Sequence, residues 1–114
     1  MLLLAVLDVR EYLAPDGSSP YAKWFKDLNA PAAAKVAIAV TRMAQGNLTN
    51  TKGVGGGLQE YRIDFGPGYR IYFGRDGERL VILLGGGTKR RQSDDIRNSQ
   101  ALWADYRRRK REEK

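Results

Sequence analysis

Apolar positions along the chain change their period several times, and each change marks an element. Residues 2–7 are a short apolar run broken by Asp8, Arg10 and Glu11, which predicts a first strand. Asp16, Gly17, Ser18 and Ser19 then make a turn, with Ser19 placed to cap a helix whose first position is Pro20. Tyr21, Trp24, Phe25 and Leu28 recur at i, i+3, i+4 and i+7, a helical stripe that predicts core packing rather than base stacking. Asn29 and Pro31 repeat the start signal. Ala33, Val36, Ala37, Val40 and Met43 form a narrow stripe of small residues ending near Gly46, so the two helices are expected to pair as a close antiparallel hairpin against a sheet.

Residues 47–57 read as a loop, glycine-rich and carrying one charge, Lys52. Lys52 precedes a glycine and a strand instead of opening a helix, which argues against a nucleotide-binding P-loop. From residue 58 to 73 the period becomes two. Tyr61, Ile63 and Phe65 share one face and Glu60, Arg62 and Asp64 the other; beyond the turn Gly66-Pro67-Gly68, Tyr69, Ile71 and Phe73 alternate with Arg70 and Tyr72. Pairing these strands predicts a buried aromatic-aliphatic layer and an open face carrying Glu60, Arg62, Arg70 and Tyr72, suited to a polyanion.

Residues 80–84 are uninterruptedly apolar and predict a central strand that ends at Gly85-Gly86-Gly87, with Lys89, Arg90 and Arg91 at the rim of the sheet. Ser93 is expected to cap a last helix, with Asp94 and Asp95 in its first turn and Ile96, Ser99, Trp103 and Tyr106 facing inward. The expected order is therefore β-α-α-β-β-β-α. This is a small α+β domain with a helical hairpin packed on a mainly antiparallel twisted sheet, residues 1–106 forming the domain and 107–114 a basic C-terminal tail.

Composition narrows the chemistry. A length of 114 residues fits one domain. With neither cysteine nor histidine, the chain lacks thiolate metal ligands, disulfides and the usual base near neutral pH, so acid-base work falls to Glu, Lys, Arg or Tyr, and neither metal nor cofactor is implied. A net charge of +7 makes nucleic acid the first partner to consider, ahead of acidic membranes or an acidic protein. Residues 89–114 hold ten Lys or Arg against five Asp or Glu, so most of the excess sits there. The run from 107 to 111 reads as a frayed helix end or a disordered tail reaching for phosphates, or equally as a solubilising tail. The run at residues 2–7 is too short to span a bilayer and has no basic leader, so a cytoplasmic location without a membrane partner is expected.

Five pieces occur in a specific order: residues 20–28 (PYAKWFKDL), Gly46-Asn47-Leu48, residues 60–73 (EYRIDFGPGYRIYF), residues 83–89 (LLGGGTK) and residues 92–96 (QSDDI). This ordered set resembles the RelE/ParE superfamily of toxins from type II toxin-antitoxin modules, in its HigB-like branch of addiction module killer proteins, over roughly residues 12–106. The resemblance implies a toxin that enters the ribosomal A site and cuts messenger RNA during translation. It also implies a cognate antitoxin, with a helix-turn-helix domain in keeping with that branch. Arg62, Arg70, Tyr72 and Lys89 match the basic and aromatic surface that such toxins use, with Lys52 and Arg90 nearby.

Cleavage by the RNA's own 2'-hydroxyl needs a base, cations for the charged pentavalent phosphorus and a donor for the departing 5'-oxygen. Glu60 is the candidate base and Arg62 and Arg70 the candidate clamps, since guanidinium matches phosphate oxygens bidentately. Tyr72 would stack on a base or bond a phosphate, and Lys89 would support the leaving group. A plainer reading has Glu60 and Arg62 in cross-strand ion pairs with Arg70 and no chemistry. Several RelE-like nucleases carry a tyrosine or histidine near the start of the last helix; residues 92–96 offer neither, which leaves the general acid or base open. Two other classes stand beside the nuclease: a ParE-like non-catalytic inhibitor of DNA gyrase, and a plain nucleic-acid binder.

Overall fold

Two capped starts set the helical hairpin. In the computed structural model, which describes residues 6–113, the Ser19 hydroxyl accepts a hydrogen bond from the Ala22 N–H at 3.0 Å and Asn29 Oδ1 accepts one from the Ala32 N–H at 2.9 Å. Each cap is followed by a proline within the first two helical positions, where a missing N–H costs nothing. The elements run β1 (Asp8–Glu11), α1 (Pro20–Lys26), α2 (Ala30–Ala44), β2 (Thr51–Gly55), β3 (Leu58–Ile63), β4 (Tyr69–Asp76), β5 (Leu80–Thr88), a 3-10 turn (Lys89–Arg91) and α3 (Gln92–Glu112). The sheet has five strands in the order β1-β5-β4-β3-β2, with β1 parallel to β5 and every other pair antiparallel. The α+β class and the mainly antiparallel sheet agree with the expectation.

The strands differ from it in three places. The first strand comprises the charged residues that were expected to break it, while residues 2–5 lie outside the described residues. Charge is tolerated because β1 is an edge strand whose Asp8, Arg10 and Glu11 face water. The glycine-rich stretch holds a further strand, β2, on the opposite edge. It pairs with β3 and is bulged between Gly53 and Gly55. The glycines after Leu84 do not end β5 but lie within it, since Gly86 sits against the Trp24 ring and Gly87 against the Asp95 carboxylate, where a Cβ would collide.

α1 and α2 cover one face of the sheet. Tyr21, Val36, Ala39 and Met43 pack there on Tyr61, Ile71, Phe73, Val81 and Leu83, with Trp24, Phe25 and Leu28 around them. The α2 stripe is rotated from the expected one: Ala32 and Ala39 are buried, whereas Ala37 is exposed. α3 covers the other face, where Trp103 packs with Tyr12, Leu58, Tyr72, Ile82 and Leu84. The face expected to be open is thus a second core, and Tyr69 through Gly74 of β4 are all buried. Gly74 makes this possible, because the six-membered ring of Trp103 occupies the place of its missing Cβ.

α3 issues directly from the 3-10 turn, so Ser93 falls inside the first turn and is not the cap. Ile96, Ser99, Trp103 and Tyr106 face inward as expected. The helix continues to Glu112, so of the two expected readings of the run from 107 to 111 the structure has the helix end, and not a separate tail. Two tyrosine–aspartate bonds of 2.6 Å hold its C-terminal half: Tyr12 donates to Asp105 and Tyr106 to Asp76. Among the described residues no helix is long and apolar enough to cross a membrane.

Gly74→Ala should lower stability by about 1–3 kcal/mol, because the added methyl meets a buried ring at 2.5 Å. Gly53→Ala, with nothing within 4 Å, serves as the control, and urea midpoints of the two variants should separate accordingly. Acid should loosen the same end of α3. Hydrogen bonds from Lys110 and then Tyr106 hold Asp76 below its ordinary 3.8, and bonds from Tyr12 and then Arg108 do the same for Asp105. A lowered carboxyl stabilises the fold above its ordinary value and loses that contribution as pH falls below it. Amide protection factors over residues 105–112 should therefore fall below pH 3.8 before those of β4 do.

Candidate functional site

Strand register builds the site. Lys52 of β2 lies opposite Glu60 of β3, which lies opposite Tyr72 of β4; in the next row Arg62 lies opposite Arg70, and Arg70 opposite Gly87 of β5. Directly opposed side chains share a face, here the α3 side. At Gly68 the chain turns with φ +81, and the Lys89 Cβ and the Arg70 Nη1 stand 3.6 and 3.7 Å from the place its missing Cβ would take. The Lys89 N–H donates to the Gly68 carbonyl at 3.0 Å and ties the 3-10 turn to this loop. Arg62, Arg70 and Lys89 consequently line one cavity of about 360 Å³, together with Asn50, Ile63, Asp64 and Gly68.

Glu60 lies behind the cavity. Its side chain has no exposed surface, Gln92 Nε2 donates to its Oε2 at 3.0 Å, and Arg70 Nε stands 3.4 Å from the same oxygen. A sealed carboxylate held by an amide and a guanidinium has no path to a ribose hydroxyl. Its geometry is that of a group that positions Arg70, which corrects the expectation of a solvent-facing base. The plainer ion-pair reading is met for Glu60 and Arg70 but not for Arg62, which makes no ion pair among the described residues. Two arginines directly opposed on one face repel; Glu60 offsets the charge of Arg70 but not that of Arg62, and an anion between them would remove the remaining cost to the fold.

Tyr72 is also corrected. It is fully buried in the second core, so its ring has no face for a base, and its hydroxyl lacks a hydrogen-bond partner among the described residues. Burial first, and then the charges of Glu60 and Asp95, push its phenol well above the usual value against the opposing effect of Arg70. Lys52 and Arg90 are exposed, and neither lines the cavity.

Sequence reasoning missed Asn50, Asp64 and Gly68 as lining residues, Gln92 as the partner of Glu60, and Asp95 above Gly87. Asp95 was expected only to complement the helix dipole. Burial raises its carboxyl above the ordinary value, with Arg91 opposing and Asp94 adding to the rise. The apposition of Gly87 to the first turn of α3 was the available signal, since a glycine inside a strand marks a close approach.

The Glu60 pair yields a stability test. Glu60→Gln leaves Arg70 without its counter-charge and should destabilise the protein by about 3 kcal/mol in urea unfolding. Lys52→Gln, at the exposed neighbouring position, should change it by less than about 0.5 kcal/mol.

No family model matches the chain. Over 80 residues, 69% of this chain and 81% of the other, it is 41% identical to an uncharacterized protein of Haemophilus influenzae (strain ATCC 51907 / DSM 11121 / KW20 / Rd). The chain belongs to the same family as that protein.

Proposed function

We propose that this member of the Haemophilus protein's family is the toxin of a type II toxin-antitoxin pair, with a RelE-like fold, and that it cuts messenger RNA on the ribosome. The observation that carries the reading is the convergence of Arg62, Arg70 and Lys89 on one cavity, two of them opposed at a cost to the fold. In the reaction the 2'-oxygen attacks the neighbouring phosphorus as its proton leaves. The bond to the 5'-oxygen then breaks, giving a 2',3'-cyclic phosphate and a 5'-hydroxyl. Arg70, set by Glu60, and Arg62 stabilise the added negative charge, and Lys89 gives the departing 5'-oxygen the proton that makes it a hydroxyl. Asp64 is the carboxylate that lines the cavity, so in this reading it takes the proton in place of Glu60. The cognate antitoxin, carrying a helix-turn-helix domain, masks this basic surface with acidic or polar groups.

The test is induction of the protein alone in a bacterium, with RNA 5' ends mapped against DNA damage signals. Cuts within translated codons are expected. Arg70→Ala, assayed on protein that circular dichroism shows to be folded because the change also strips the buried Glu60 of its counter-charge, should lower the cutting rate about 10²–10³-fold, and Asp64→Asn should lower it by at least as much as Glu60→Gln. Double-strand DNA breaks without RNA cuts would mark a gyrase poison instead, and full toxicity of a folded Arg70→Ala protein would remove this residue from the site.

A further inference from the structure

Five cations run from Arg107 to Arg111, and their pairing divides them. Arg108 is held by Asp105 and Glu112, Arg109 by Asp105 and the Leu13 carbonyl, and Lys110 by Asp76. Arg107 and Arg111 make no ion pair among the described residues, and at i and i+4 they share one face of α3. Both line a cavity of about 240 Å³ together with Arg75 of β4. Its apolar wall is Trp103 and Tyr106, whose rings stack with centroids 5.2 Å apart and planes 8° from parallel. The one carboxylate in its lining, Asp76, is already bonded by Lys110 and Tyr106. Arg75 donates from its Nη2 to the Glu78 carbonyl at 2.6 Å, but its Nε is buried without a partner among the described residues. A helix C-terminus favours cations by itself, which accounts for the run in α3. It does not account for a third guanidinium brought to the same cavity from a strand.

We propose that this cavity is a second anion site, which takes a phosphate of an RNA backbone between Arg75, Arg107 and Arg111 while the ribose or base lies against the partly exposed ring of Tyr106. One phosphodiester carries no more charge than one carboxylate; a nucleic acid is favoured because it carries a phosphate at every nucleotide together with a ribose and base that can lie on the adjoining aromatic ring. Gln92 beside the first cavity and Arg107 at the second are 15 residues apart on α3, roughly 22 Å of helix, so one strand a few nucleotides long can occupy both. Naming RNA rests on the ribonuclease reading; the site itself requires no cleavage.

The probe is a short fluorescein-labelled 2'-O-methyl RNA, which the 2'-hydroxyl mechanism cannot cut, titrated with the full chain at several salt concentrations. Arg107→Gln/Arg111→Gln should bind about tenfold more weakly at about 0.15 M salt, and its slope of log affinity against log salt should be shallower by about 1.4. Arg75→Gln, from the other element, should make it shallower by about 0.7. Arg108→Gln, whose charge is used within the helix, should match the parent within about twofold. Circular dichroism and melting show whether each variant is folded. An unchanged slope in both the helix and the strand variants overturns the site. So does retained RNA affinity with lost binding of a polyglutamate peptide, which would make the cavity an acidic-peptide surface. A DNA strand of the same sequence should show the same loss, because the phosphate is the group read, and the ribonuclease reading is decided separately by whether the induced protein cuts translated RNA.

Discussion

The ring of Trp103 standing where Gly74 has no side chain is the contact on which the rest of the molecule depends. It lets α3 approach β4 closely enough to bury Tyr72, Leu58, Ile82 and Leu84 on a face that carries charge at the neighbouring positions. Burying side chains of this size contributes about 1.5–3 kcal/mol each, enough in sum to offset the enclosure of one carboxylate. The same docking brings Gln92 to Glu60 at one end of the helix and Arg107 and Arg111 to Arg75 at the other. The second cavity and the backing of the first both follow from where one helix rests.

The two faces of the sheet therefore do different work. Beneath α1 and α2 the cluster is apolar and aromatic, and nothing in it calls for a ligand. Beneath α3 the apolar cluster is bounded by a buried ion pair and an unpartnered phenol, with two like charges opposed across β3 and β4. Each of these is unfavourable for stability taken alone. Their concentration beside a cavity lined by three cations marks that end of the sheet as the place where the fold departs from its own optimum.

What was legible in the sequence was local. The caps at Ser19 and Asn29 and the alternation through β3 and β4 each rest on a few adjacent residues, and both are found in the structure. The cover over the charged face was not legible, because Glu60 at a period-two position reads the same whether water or a helix lies above it. Gly74 and Trp103 held that information as a pair, since each explains the other's size. β2 was invisible for a related reason: its glycines have little strand propensity, and only pairing with β3 makes it a strand. Within the site, Arg62 and Arg70 followed from register. Asn50 and Asp64 depended on the paths of two turns, one fixed by the Arg62 N–H donating to the Asn50 carbonyl at 3.1 Å.

Because α3 seals Glu60, the charge in the first cavity is coupled to the stability of the fold. Glu60 can hold Arg70 only while Gln92 covers it, and Gln92 is in place only while Trp103 keeps the helix on the sheet. Any change that lifted the helix would let water reach the carboxylate and weaken its hold on the guanidinium, altering the cavity's electrostatics without touching a lining residue. Loss of function at Trp103 or Gly74 would then look like loss of a site residue. The distinction lies in the unfolding curve, since removing an exposed lining cation, Arg62 or Lys89, leaves the two cores and their cooperative transition as they were, whereas removing Arg70 also strands the buried Glu60.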